Sequence, residues 1–335
     1  MNKTYVVNLL ILTFFALSLQ GQDVHFSSIN ANDMYLNPAK TAFTNTDFKV
    51  AIAYRNQWQT VSTNGYNTTL LTGEARLFSS KKYRHSLGIG LGFVSDVAGT
   101  LNFGQRQIFV NLSYNKQIEK RNNHFISIGV QLSNNYWSYD PTNADFGQQQ
   151  SDWEGILLSN LSYNDVSLGL HWQIEPADFQ AVSAGFAVFH LTQPGLTFMD
   201  ELNIGDLRLK PRYYGYANYL FSTSEVSKVQ LSASTSVQND NYEILLGGEY
   251  IIDLSNTIFD QNNIGAGIYY RSNDAIIVAL KYQYNNLNFS LSYDINISGL
   301  SQVSNTYGGL EICLTYGFNK FSYNKKIRTI PCPTF

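Results

Sequence analysis

From residue 48 onward, apolar and polar residues alternate one for one in segment after segment. Leu87, Ile89, Leu91 and Phe93 alternate with Ser86, Gly88, Gly90 and Gly92, and Ile126, Ile128, Val130 and Leu132 alternate with Ser127, Gly129, Gln131 and Ser133. The longest case sets Leu287, Phe289, Leu291, Tyr293, Ile295 and Ile297 against Asn288, Ser290, Ser292, Asp294 and Asn296. A period of two is that of a β-strand whose successive side chains point to opposite faces, so each segment has one oily and one wet face. The pattern predicts strands near 48–58, 66–78, 84–95, 104–117, 123–135, 162–174, 179–190, 209–221, 226–237, 240–252, 262–272, 274–284, 287–297 and 307–318. Fourteen is an even number, as single-chain bacterial barrels require.

Composition decides what the oily face meets. Charged residues are 14% of the 335-residue chain, against about 25% in soluble domains, while Gly (24), Tyr (23) and Phe (21) are plentiful. A soluble sandwich of fourteen long strands with so few surface Lys and Glu would be poorly soluble, and no repeat of about 40 residues supports propeller blades. A mean hydropathy of -0.18 is too low for a bundle of membrane helices. The fold class expected is all-β, a transmembrane outer-membrane β-barrel of about 14 antiparallel strands with lipid outside and a polar lumen.

Residues 1–21 carry Lys3 and an apolar run from Val6 to Leu19, the form of a secretory signal peptide cleaved just before Gln22. No cysteine lies near that point, so lipidation there is excluded. The organisation read from this is a signal peptide at 1–21, an N-terminal periplasmic or plug segment at 22–47, the barrel at 48–318 and a C-terminal periplasmic tail at 319–335. With a periplasmic N-terminus, the two longest connections, 136–161 and 191–208, both fall outside the cell, as the long-loop rule expects. Trp58, Tyr114, Trp172, Tyr250, Tyr270, Tyr284, Tyr316 and Phe318 lie near strand ends and would form the interfacial girdles.

Other function classes find little support. A net charge of -3 provides no footprint for nucleic acid. His25, His85, His124, His171 and His190 are scattered without metal-ligand spacing, so no metal, cofactor or catalytic residue is assigned. His171 shares a strand face with Ser167, but four strand positions separate them by roughly 13 Å, too far for a nucleophile and its base. Gly88, Gly90 and Gly92 alternate along a strand and precede no helix, so they are no phosphate loop; they would let a bulky neighbour or plug approach the wall. Cys313 and Cys332 are the two cysteines. An exported chain permits a disulfide between them, but two isolated cysteines do not establish one, and both readings stay open.

The face opposite the apolar set carries Lys49, Arg55, Glu74, Arg76, Arg212, Glu243, Glu249, Arg271, Lys281, Asp294 and Glu311. Mixed signs in a narrow lumen favour a network of paired charges over an ion-selective pore, which would show one dominant sign.

Several segments together resemble the PorP/SprF family of outer-membrane proteins of the Bacteroidetes type IX secretion system. At the start these are Gln22-Asp23, His25-Phe26-Ser27, Tyr35-Leu36-Asn37-Pro38-Ala39 and Tyr54-Arg55-Asn56-Gln57-Trp58. In the middle they are Ser86-Leu87-Gly88-Ile89-Gly90, Asp96-Val97-Ala98-Gly99, Asp140-Pro141-Thr142 and Asp145-Phe146-Gly147. Arg271, Asp274-Ala275, Ser292-Tyr293-Asp294, Ser298, Glu311 and Pro331-Cys332-Pro333-Thr334-Phe335 complete the set. Asn32-Asp33 departs from the family's simpler opening turn, and Cys313 stands where a serine-like residue is expected.

The resemblance implies an outer-membrane barrel that is no enzyme and works with type IX machinery subunits. It would serve either as a core component that links to periplasmic subunits or as a dedicated partner that binds, delivers or anchors a secreted cargo protein through that cargo's C-terminal sorting domain, with gliding adhesins among the cargo in motile relatives. Its partners would be those subunits, the cargo and outer-membrane lipid, with no nucleic acid. Contact would use the long external loops, where Tyr136, Trp137, Tyr139, Phe146 and Trp153 supply aromatic anchors; folding inward as a constriction, or sitting in the outer girdle, is an equal alternative for them. A periplasmic partner would meet the short turns, the 23–40 segment or the basic 319–335 tail. The rival reading is a transport barrel for small hydrophobic molecules.

Overall fold

The computed structural model describes residues 24, 26–27, 33–59, 65–80, 84–99, 101–119, 123–140, 160–176, 180–196, 208–255, 261–299 and 301–320. Within them, fourteen antiparallel strands close into one barrel, each paired with its neighbours in sequence and the last with the first. The strands are β1 (Phe48–Gln57), β2 (Tyr66–Ser80), β3 (His85–Ala98), β4 (Phe103–Glu119), β5 (His124–Ser138), β6 (Asn160–Ile174) and β7 (Gln180–Phe189). They continue as β8 (Arg212–Ser222), β9 (Ser227–Gln238), β10 (Asn241–Asp253), β11 (Asn262–Arg271), β12 (Ala275–Tyr284), β13 (Leu287–Asn296) and β14 (Tyr307–Phe318). Each is one of the strands expected from the alternation. Among the described residues no helix is long and apolar enough to cross a membrane, so the crossing is made by strands.

The oily face of each strand is the outer face. Val50, Ile52, Leu91, Ile108, Ile128, Leu170, Ile268, Leu280 and Leu314 are all exposed on the wall, the lipid-facing surface of a membrane barrel. Tyr250, Tyr270, Tyr284, Tyr316 and Phe318 are exposed near strand ends, as an aromatic girdle requires. The alternate residues are buried inside, and most are polar: Asn111, Ser127, Gln131, Asn135, Ser167 and Ser292 among them.

Departures from strict alternation have local causes. Leu77 and Phe78 are consecutive apolar residues, and a bulge between Arg76 and Phe78 leaves both exposed. β8 begins at Arg212 and not at 209 because Pro211 has no N–H to give the ladder. Further bulges fall at Gln117/Glu119 and Asp294/Ile295, toward strand ends, and the central ladders run without interruption around the barrel.

One end of the barrel, called here the loop end, carries the long connections 139–159 and 190–211; the other, the turn end, carries the short link 285–286 and the start of β1. The described residues before β1 do not extend from the turn end into open space. A helical turn at Asp33–Leu36, labelled α1, is followed at once by a 3-10 turn at Pro38–Lys40, and both lie inside the barrel with Met34, Tyr35, Pro38 and Ala39 buried.

Candidate functional site: the plugged lumen and the loop-end rim

The inner segment is seated by backbone contacts that need glycine on the wall. Gly129 of β5 and Gly169 of β6 stand directly opposite one another. A Cβ on Gly129 would come within 2.3 Å of the Pro38 carbonyl carbon, and one on Gly169 within 2.1 Å of the Asn37 side-chain oxygen. On β3, Gly88 makes room for the Ala42 Cβ and the Thr41 carbonyl, and Gly90 for the Met34 side chain. Of the three glycines expected to admit a bulky neighbour or a plug, Gly88 and Gly90 admit the plug and Gly92 admits the Phe109 ring of β4.

Polar contacts complete the seat. Asn37 is fully buried; its oxygen accepts from the Ala39 N–H at 2.9 Å, capping the 3-10 turn, and its amide donates to the Leu170 carbonyl at 2.8 Å. Asn111 donates to the Met34 carbonyl at 2.8 Å, Ser113 donates to the Thr41 carbonyl at 2.6 Å, and the Ala42 N–H donates to Glu74 at 2.7 Å. Arg76 donates to the Thr44 carbonyl. These bonds satisfy main-chain groups of an irregular segment that would otherwise be buried without partners. Phe43 packs edge-on against His171 with centroids 4.6 Å apart, and His171 Nδ1 lies 2.7 Å from the Tyr216 hydroxyl. Asp33 on α1 pairs with Lys40. Burial alone would raise its carboxyl, but Lys40 and Lys49 together outweigh that and hold it below the usual carboxylate value.

Toward the loop end, four strands converge on Ser27. Arg55 of β1 lies 2.7 Å and Arg271 of β11 lies 2.9 Å from the same oxygen of Asp294 on β13, and Glu311 of β14 stands 3.7 Å from Arg55. Arg55, Arg271, Asp294 and Glu311 are each nearly inaccessible. Ser27 sits at their centre: its N–H donates to Glu311 at 2.6 Å, its hydroxyl donates to Asp294 at 2.7 Å, and Arg271 donates to that hydroxyl at 2.7 Å. Beside it, Phe26 meets Tyr35 edge-on and Tyr35 meets Phe109 at a tilt, with centroids 5.7 and 5.9 Å apart. Lys49 pairs with Glu74 at 2.6 Å, Lys281 pairs with Glu249, and Arg271 also reaches Glu243 at 3.8 Å. Most of the inward charges are therefore matched to one another, and several are matched to the plug. The 22–47 stretch was expected as a periplasmic or plug segment; its described part is packed in the lumen, where main-chain groups bond to inward Asn, Ser and Glu side chains.

The aromatic candidates divide by strand parity. Trp137, near the loop end of β5, points to the lumen side, where it lies 5.5 Å from the Phe103 ring and donates to the Tyr163 hydroxyl at 3.3 Å. Tyr136 precedes it on the opposite face, and Tyr139 follows the strand, half-buried. Phe146 and Trp153 lie outside the described residues. Nearby, His190 Nδ1 is 2.6 Å from Asp165, which also accepts from Thr192 at 2.6 Å, pinning the start of the 190–211 connection. Cys313 is buried on the lumen face, and Cys332 lies outside the described residues. Among the described residues, no three His, Cys, Asp or Glu side chains converge in a way that could hold a metal ion.

The family model of the type IX secretion system membrane protein PorP/SprF matches residues 18–316. No curated protein matches the chain. Among solved structures, the Ralstonia pickettii toluene transporter TbuX superposes with a TM-score of 0.52 at 10% identity, covering 87% of this chain and 94% of that one. A Pseudomonas aeruginosa FadL homologue gives 0.50 at 11% identity, covering 86% and 94%. At such identities the likeness is one of fold, an outer-membrane barrel.

Proposed function

This chain belongs to the type IX secretion system membrane protein PorP/SprF family, and on that premise we propose that it is a plugged outer-membrane scaffold that binds, delivers or anchors secreted cargo. The observation that carries this reading is the occupied lumen. Residues 26–27 and 33–44 are hydrogen-bonded to β2, β4, β6, β11, β13 and β14, so a partner is met by the loops, the rim and the turns instead of being threaded through the wall. Its partners are type IX machinery subunits and a cargo protein carrying a C-terminal sorting domain. The loop-end aromatics Tyr136, Trp137 and Tyr139, with Phe146 and Trp153, are its contacts to that domain. A surface adhesin is the cargo class that would tie it to gliding motility.

The test is a pull-down of the tagged barrel from mildly solubilised outer membranes, read by mass spectrometry. Recovery of a large secreted protein through its C-terminal domain supports the cargo role. Recovery of periplasmic subunits alone supports a core role in the machinery, and recovery of neither overturns both.

A second reading, a transport barrel for small hydrophobic molecules, is favoured by the fold shared with the toluene transporter TbuX. Weighing against it are the polar, charge-paired lumen and the unbroken central ladders, which leave no lateral gap among the described strands. Swelling of barrel-loaded liposomes in toluene or fatty acid, absent from empty ones, would reverse this order.

A further inference from the structure

Below the plug, at the turn end, the lumen keeps a cavity of about 490 Å³. Asp33 and Lys40 of the plug line one side of it, and Lys49 of β1 and Lys281 of β12 stand on its wall. Both wall lysines belong to ion pairs, but the pairs are lopsided. The carboxylate partners Glu74 and Glu249 have side chains only 1% and 4% exposed, whereas Lys49 and Lys281 are 19% and 25% exposed. The charge offered to a ligand on this wall is therefore positive. Lys281 is the better braced, because Gly265 leaves room for the Glu249 carboxylate and the Tyr269 hydroxyl donates to it at 3.2 Å. Of its three ammonium donors one goes to Glu249, which leaves two for a ligand.

The rest of the lining is mostly uncharged and polar. Asn218, Gln230, Asn263 and Asn288 each spend one end of the side-chain amide on a wall neighbour, donating to Ser183, Ser232, Gln283 and Thr315 at between 3.1 and 3.4 Å. The other end is left to the cavity they line. Among the described residues the Asn218 oxygen is buried and accepts no hydrogen bond, an acceptor that folding alone leaves unmet. Register sets these groups in order. Ile251, Gly265 and Lys281 share one cross-strand row, so Ile251 stands two strand spacings from the lysine, roughly 10 Å. Asn263, Gln283, Asn288 and Thr315 form the next inward row toward the turn end. A peptide main chain, with alternating N–H and C=O groups, needs two-way partners of this kind. A sugar would need an aromatic platform, and the two rings beside the cavity, Tyr282 and Phe289, are exposed on the outward face.

We propose that this cavity binds the carboxylate end of a peptide chain that enters from the turn end. The main chain lies over the amide row, the terminal carboxylate accepts from Lys281, and the last side chain meets Leu220 and Ile251. A volume of this size class takes a ligand as small as a short peptide end. The proposal rests on the plugged lumen and not on cargo binding at the loop end, and its test uses the barrel with no partner present, so the two readings fail separately.

Isothermal titration of the full-length barrel in detergent compares acetyl-alanyl-alanyl-leucine, with a free carboxylate, against the same peptide as its C-terminal amide. The acid is expected to bind about tenfold tighter, because the amide forgoes a charge-assisted hydrogen bond to a partly buried ammonium. Lys281→Met should abolish that preference and Lys281→Arg should keep it, in barrels shown closed by their heat-modified gel shift. Asn288→Leu leaves the ion pairs intact and should weaken acid and amide alike. Equal binding of the two peptides by the parent, binding of neither, or glucuronate bound more tightly than the peptide acid overturns the proposal. So does a preference for the acid that survives Lys281→Met.

Discussion

Gly129 and Gly169 face each other across β5 and β6, and the space that neither fills is occupied by Asn37, Pro38 and Ala39. The pair is a socket, and the plug fits because its 3-10 turn presents Pro38 backbone to Gly129 and the Asn37 side-chain oxygen to Gly169. Asn37 then reaches past the socket to bond the Leu170 carbonyl on the same strand as Gly169. A wall built to receive backbone at this depth marks the inner segment as part of the folded barrel.

Gly129→Leu is accordingly expected to expel the plug from its seat. A side chain there meets Pro38 backbone at 2.3 Å, and overpacking of this kind costs about 1–3 kcal/mol. In planar bilayers the variant should show larger and more frequent conductance steps than the parent, while its heat-modified gel mobility shows the barrel still closed. Identical conductance would mean that the plug does not depend on the socket.

The Ser27 latch separates two energies. Ser27→Ala removes one hydroxyl from a charge-assisted network and should loosen the plug by about 1.5–3 kcal/mol, leaving Arg55, Arg271 and Asp294 paired to one another. Asp294→Ala removes the carboxylate that both arginines share. It leaves two buried cations short of a counter-charge, a loss of about 3–5 kcal/mol. Thermal unfolding in detergent should therefore rank parent, S27A, then D294A, with the second gap the larger. An S27A barrel as unstable as D294A would place the latch, not the charge pair, at the centre of the fold.

The strands were legible because a membrane barrel imposes the simplest code in proteins, alternation on every strand, and lipid enforces it from outside. The inward charges were legible for the same reason, by parity. The glycines on β3 signalled close approach, but the facing of Gly129 and Gly169 depends on cross-strand register, which no single segment encodes. The course of the inner segment was also hidden. Residues 24–47 have no periodicity, and what seats the 34–42 stretch is hydrogen bonding of its main chain to Asn111, Ser113 and Glu74, residues that in the sequence look like any polar lining. Trp137 was named as an aromatic candidate from its neighbourhood, whereas its partners Phe103 and Tyr163 come from adjacent strands and were not.

Acid should act on the plug late. Asp33 is held below its ordinary value of 3.8 by Lys40 and Lys49 in spite of burial. A carboxylate lowered in the folded state contributes stability that is complete above its unfolded value and is lost as pH falls through the folded one. Protease access to the inner segment should stay flat from neutral pH to above 3.8 and rise only below it. Lys40→Met should move that rise to higher pH, since the nearest cation is gone. A rise already near pH 6 in the parent would assign the acid response to another group.

Trp137 offers the sharpest separation of structure from recognition. Its ring meets Phe103 at 5.5 Å and its N–H meets the Tyr163 hydroxyl at the loop-end rim, away from the Ser27 latch and the glycine socket. Trp137→Ala forfeits an aromatic pair worth about 0.5–1.5 kcal/mol beyond its area, a loss that a closed fourteen-strand ladder absorbs without opening. The variant should keep its heat-modified gel shift and its low conductance. Its recovery of cargo in the pull-down should fall at least tenfold, because a truncated aromatic anchor at a binding rim costs about 2 kcal/mol or more. Trp137→Phe, which keeps the ring contact and loses only the donor, should recover most of the binding. Unchanged recovery with Ala would make the cluster a structural collar around the mouth and move the contact to the 139–159 connection.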